Sequence, residues 1–286
     1  MRTAFAPRSR GRVAADVLVV VLGTGAAVVV VDVLLGKVAL PVIRPLFLGF
    51  LHALVALGVV WGLLVRPKRY HAESLGLAVS KGTLQSGAIG FLGGSVLAAM
   101  AVGIAIVTKG IEVHRAPTWQ APPASEIALW AAVALVASAF EEIVFRAGTV
   151  GTLRTAFPRW VALLVPGAIF AAGHLGNPHT SPLAVANTLL AGLWLGLLYL
   201  HPLNEPVVPG LGLPVGAHAG WNLTLRLLGV PVSGYVAQGR YFQVFSVSDT
   251  WGGGAYGLEA GLAGTVVFGG AAALLWWDLG RRKIGP

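Results

Sequence analysis

From residue 125 to residue 146 the chain reads SEIALWAAVALVASAFEEIVFR. Ile127 to Phe140 carries no charge, and then Glu141, Glu142 and Arg146 follow. An apolar run of this kind predicts a helix able to cross a bilayer core of ~30 Å. A carboxylate at mid-membrane costs about 2.5–3.5 kcal/mol on insertion scales, so it needs a partner or a function. Glu142 and Arg146 stand four apart with the acid first, the favourable order for a helical ion pair. Glu141 points about 100° away from its neighbour on a helix. One glutamate is therefore neutralised locally while the other stays free.

The rest of the chain agrees with a membrane reading. Hydrophobic residues make up 56% and charged residues 11%, against about 25% charged in a soluble domain. This excludes an ordinary soluble enzyme, a disordered chain and a collagen-like one. Eight apolar stretches fall at 17–35, 45–65, 84–107, 125–145 or further, 160–172 or further, 182–200, 215–228 and 256–277. The expected fold is an all-α, polytopic bundle of about eight transmembrane helices in a single domain, 1–286. Within it, 126–226 is the expected catalytic core and 1–16 a basic cytoplasmic N-terminus. The first stretch exceeds the 7–15 apolar residues of a cleaved signal, so it reads as a retained helix. There is no internal repeat. Cysteine is absent, which removes disulfides, thiolate ligands and a cysteine nucleophile.

The net charge of +9 is sorted rather than spread. With the N-terminus inside, thirteen Lys and Arg fall in inner segments (Arg2, Arg8, Arg10, Arg12; Arg66, Lys68, Arg69, Lys81; Arg154, Arg159; Arg281, Arg282, Lys283). Five fall outside: Lys37, Arg44, Lys109, Arg115 and Arg240. That bias predicts both termini in the cytoplasm of a multi-pass cell-membrane protein. It also accounts for the basicity without a nucleic-acid partner.

Two further polar clusters stand in apolar surroundings: Phe170-Ala171-Ala172-Gly173-His174, and His218-Ala219-Gly220-Trp221-Asn222. Read alone, each is satisfied as polar glue between helices. Pro158 marks a turn between the fourth and fifth spans. Glu141 and His174 lie at similar distances on either side of it, so a hairpin brings them to similar depth, about 20–25 Å along the helices. The Pro/Gly-rich stretch 202–214 folds inward to bring His218 below the surface, which requires cover by protein or a water-filled cavity. The expectation is a polar cavity opening to the cytoplasm.

A carboxylate, two imidazoles and an amide suit water-mediated hydrolysis of an acyl bond. A carboxylate taken out of water becomes a usable general base, and imidazole and amide N–H groups stabilise an oxyanion. Glu141, His174 and His218 would also make a His₂Glu zinc set, although the contiguous H-E-x-x-H motif is absent. Spacing leaves the choice between protein-held and zinc-held water open. A serine protease of the membrane would want a G-x-S-G loop, and an aspartyl one two membrane aspartates; neither is found.

Glu141, Glu142 and Arg146 (E-E-x-x-x-R), Phe170 and His174 (F-x-x-x-H), and His218 and Asn222 (H-x-x-x-N), in this order, resemble the CAAX prenyl protease and bacteriocin-processing family, CPBP or Abi. The resemblance spans 126–226. It implies an intramembrane endopeptidase in which Glu141 activates water with help from His174. His218 and Asn222 form the oxyanion hole, Glu142 and Arg146 support the site, and Phe170 packs. It implies no cofactor, with zinc on Glu141, His174 and His218 as the alternative. The implied partners are a peptide or membrane-protein substrate and the lipid bilayer. Against this stand a non-catalytic peptide-binding or immunity protein, and a proton-coupled transporter, which would carry inverted repeats.

Overall fold

The computed structural model describes residues 8–35, 44–116, 123–204, 210–236 and 241–282. Arg2, Lys37, Arg240 and Lys283, and much of the 202–214 stretch, lie outside them. Among the described residues the long helices are α1 (Arg10–Leu35), α2 (Arg44–Val60), α3 (Lys81–Val107), α4 (Ala124–Glu142), α5 (Arg159–Gly173), α6 (Pro182–Leu200), α7 (Gly212–Leu227) and α8 (Leu262–Arg281). Six are long and apolar enough to cross a membrane, α2 and α4 being extended for this by the π-helical segments that follow them. α5 is apolar but shorter, and α7 carries His218, Asn222 and Arg226. The chain is a multi-pass helical membrane protein.

Two boundaries depart from the sequence reading, the starts of the first and last spans. α1 begins about two turns earlier, at Arg10. The fourth span, read as 125–145 or further, does run on, through a π-helical segment, Ile143–Val150, to a last turn at Gly151–Leu153. The last span begins at Leu262 rather than near Tyr256. Before it, Gly253, Gly254 and Gly257 take φ of +77°, +61° and +98°, a region that breaks an α-helix and that glycine enters without Cβ strain. The all-α expectation also missed a two-stranded antiparallel sheet, β1 (Ile111–Arg115) with β2 (Phe242–Ser246), in register Val113↔Val244. Each strand alternates over only five residues, and their partnership is non-local, so neither announces itself in the sequence.

Polar contacts gather the starts of α1 and α5, the ends of α2, α4 and α8 and the α2–α3 link on one face. Arg8 and Arg69 both bind Asp16, at 2.8 and 2.6 Å. Arg10 Nε–H donates to the Ala156 carbonyl at 3.3 Å, and Arg154 Nη2–H to that of Ser74 at 3.3 Å. The Arg159 guanidinium lies 5.0 Å from the Trp276 ring centre. Tyr70, in the α2–α3 link, donates to Asp16, and burial together with that carboxylate pushes its phenol up to about 12.

α3 and α7 form the closest helix pair. A Cβ on Gly90 or Gly94 would run into the backbone of Leu213 and Ala217, and one on Gly216 or Gly220 into that of Gly87 and Phe91. Small residues at four-residue spacing let backbones approach where no hydrophobic drive separates protein from lipid. This contact fixes α7, and with it His218. A second close contact, Gly192 on α6 against Gly167 on α5, fixes the helix that ends at His174.

Candidate active site

The paired glutamates sit at the junction of α4 with its π-helical extension. Such wide turns recur at functional sites because they re-aim side chains. The two carboxylates face different surroundings. Glu142 is 0% exposed and lies 2.9 Å from Arg146 Nε, itself 1% exposed. The contact is an ion pair without hydrogen-bond alignment, since neither Glu142 Oε2 nor Arg146 Nε completes one. The other Glu142 oxygen accepts from His218 Nδ1–H at 3.0 Å. The Arg146 guanidinium also lies over the Phe170 ring, 5.0 Å from its centre. Phe170 packs edge-on against Phe145 and next to His174. Glu142 and Arg146 thus hold His218 from one side and, through Phe170, His174 from another.

Glu141 is 27% exposed at its side chain, with Oε2 3.8 Å from His218 Nε2. That oxygen makes no hydrogen bond to the protein. His174 caps the C-terminus of α5, where its ring contacts the Phe170 carbonyl through Nδ1 at 2.8 Å. A carbonyl only accepts, so the Nδ1 proton is fixed there and Nε2 carries the lone pair of the neutral ring. Asn222 lies one turn beyond His218 on α7. Glu141, His174, His218 and Asn222 all line one cavity of about 360 Å³, with Trp130, Ala137 and Arg226 among its walls. Glu142, Arg146 and Phe170 stand behind its wall. The resemblance and the geometry therefore bring the same residues to one place.

The walls of the cavity run in one direction along the bundle. Its lining on α4 runs from Glu141 through Ala137, Ala134 and Val133 to Trp130, and on α7 from His218 through Asn222 to Arg226. Both stripes climb away from the face that holds the ends of α1 and α8. The mouth lies between exposed Tyr235, Val236 and Arg226, beside the small sheet. Mouth and termini are on opposite faces of the bundle, so the two expectations, cytoplasmic termini and a cavity opening to the cytoplasm, do not hold together. Residue spacing gives the depth of a side chain but not the direction in which its neighbours leave room.

Glu259 was not singled out by sequence. Its Oε1 accepts from Trp221 Nε1–H at 2.9 Å and its Oε2 from Ser233 Oγ–H at 2.8 Å, which tethers the segment after α7 to the site. Glu259 also borders a second, water-sized cavity of about 30 Å³ behind His174 and His218. The available signal was an acid inside a stretch read as an apolar span.

A zinc site on Glu141, His174 and His218 fits these side chains poorly. Engagement of Nδ1 by Glu142 in His218 and by a carbonyl in His174 does not decide this, since a metal would take Nε2 of each ring. Among the described residues no three His, Cys, Asp or Glu side chains are grouped as a cation requires. No step is routed through a metal.

Fold and site together define a multi-pass helical membrane protein with a carboxylate–imidazole cavity between its helices. Residues 123–224 match the family model of Rce1-like proteins, described as type II CAAX prenyl endopeptidase. The matched segment carries all three motifs and is similar to that family. No curated protein matches the chain.

Proposed function

We propose that the protein is an intramembrane endopeptidase that hydrolyses a peptide bond with glutamate-activated water. It crosses the cell membrane eight times, with both termini cytoplasmic, and its catalytic core is 126–226. The reading is carried by one observation: Glu141, His174, His218 and Asn222 share a single cavity.

Each group has a role that its surroundings support. Glu141 Oε2, unbonded to protein, takes a proton from the attacking water while His174 Nε2 accepts the water's other hydrogen bond. The water oxygen adds to the peptide carbonyl carbon. The developing oxyanion receives N–H groups from His218 Nε2 and Asn222 Nδ2. Because His218 Nδ1–H is committed to Glu142, donation from Nε2 needs the doubly protonated ring, whose charge the two facing carboxylates balance. The C–N bond then breaks, and the proton held by Glu141 passes to the leaving amine nitrogen.

The test is Glu141→Ala in membranes supplied with a candidate peptide. Cleavage should be lost; cleavage at the unaltered rate removes Glu141 as the base. A non-catalytic peptide-binding role would instead leave Glu141→Gln as active in cells as the parent protein.

A further inference from the structure

We propose that the small cavity behind His174 and His218 is a water site, and that it supplies the hydrolytic water while substrate fills the large cavity. Glu259 is the residue that holds the water there. This rests on the endopeptidase reading above and adds the second reactant to it.

Each peptide bond hydrolysed consumes one water. A peptide segment lying among Trp130, Val133, Ala134 and Ala137 excludes solvent from Glu141 and His174 on the side that it occupies. The small cavity reaches the same place from behind. His174 and His218 line both cavities, so the two imidazoles form the partition between them. Phe170, Trp194, Leu195 and Phe268, all buried, give the small cavity apolar walls. Its volume of about 30 Å³ holds about two waters, at about 10–15 Å³ each.

A buried water also needs two to four polar partners, and the lining offers acceptors. Glu259, in the turn Leu258–Ala260 before α8, accepts Trp221 Nε1–H on Oε1 at 2.9 Å, and both the N–H and the Oγ–H of Ser233 on Oε2. A carboxylate has about four acceptor positions, so one is left for water. The hydroxyl protons of Ser233 and Thr188 are committed to Glu259 and to the Ala184 carbonyl, which leaves both oxygens able to accept. His174 gives its Nδ1 proton to the Phe170 carbonyl and keeps Nε2 as an acceptor. With these donors committed, the cavity takes a small molecule that donates, and water is that molecule. Glu259 and Ser233 are part-exposed, so a water drawn off to His174 Nε2 is replaced past them. The transfer makes and breaks hydrogen bonds only.

Two measurements on the full chain test this. A high-resolution crystal structure should show water in the small cavity, within hydrogen-bond distance of Glu259 and of a second polar atom of the lining. A dry cavity, or a cation bound there, overturns the proposal. Ala191 on α6 lines the small cavity and not the large one, so Ala191→Leu fills the first and leaves the space for substrate alone. In peptide cleavage by proteoliposomes, Ala191→Leu should lower kcat by about 10- to 30-fold, the cost of immobilising a water afresh in each turnover, with KM unchanged and the unfolding midpoint held or raised. Thr188→Val removes one acceptor at nearly constant volume and serves where the leucine variant does not fold. It should lower kcat by about 2- to 10-fold, as for one lost hydrogen bond, again with KM unchanged. An unaltered kcat in either folded variant, or a change confined to KM, overturns the proposal. If water is in place and the parent protein cleaves no peptide, the endopeptidase reading fails and takes the supply role with it, while the water site stands.

Discussion

Glu141→Gln and Glu142→Gln are the same chemical change at adjacent positions, and the structure predicts opposite consequences. Glu142 is 0% and Arg146 1% exposed, 2.9 Å apart. At an effective dielectric of about 20, unit charges at that separation attract by about 6 kcal/mol. Glu142→Gln leaves the guanidinium without that partner in a site it cannot leave, and the neighbouring Glu141 offsets part of the loss. Removing one member of a buried pair typically costs about 3–5 kcal/mol, which corresponds to a fall on the order of 10 °C in midpoint. Glu141 has no hydrogen bond at Oε2 and is part-exposed, so Glu141→Gln should move stability by less than about 1 kcal/mol. It should nevertheless cut turnover by about 10²–10⁴, the range for a lost general base. The assay pairs unfolding in detergent with peptide cleavage in proteoliposomes. Glu142→Gln combined with Arg146→Met should recover most of the stability, since an apolar replacement of both partners is often neutral. Equal midpoint losses for the two single variants, or no recovery in the double variant, would refute the division of roles.

Asn222→Ala should lower kcat by about 10²–10³ with KM little changed, the signature of a lost oxyanion donor; a change confined to KM contradicts it. Gly216→Val should destabilise the α3–α7 pair by about 1–3 kcal/mol or more, because its new atoms meet the Gly87 backbone. Gly93→Ala, which meets nothing within 4 Å, should be neutral or stabilising by about 0.5–1 kcal/mol; unfolding midpoints compare the two, and equal shifts would argue against the packing account. Turnover should survive a strong chelator, and a complete loss restored by zinc would bring back the Glu141, His174 and His218 metal set.

Much of this protein is legible in one dimension. Apolar length marks spans because a bilayer demands it, so most stretches read from the sequence coincide with helices. Glu141, Glu142, Arg146, His174, His218 and Asn222 stand out because charge and polarity are costly in lipid. The Glu142–Arg146 pair follows from four-residue spacing alone. What needed the third dimension was everything set by contacts between distant segments. The β1–β2 sheet joins Ile111–Arg115 to Phe242–Ser246. Glu259 matters through Trp221 and Ser233, which no local pattern connects to it. His218 proves to sit between both carboxylates, a position set by the glycine-lined approach of α7 to α3. Helical periodicity specifies which side chains share a face and roughly how deep they lie. Only packing decides which of those faces meet and toward which end of the bundle the space between them opens.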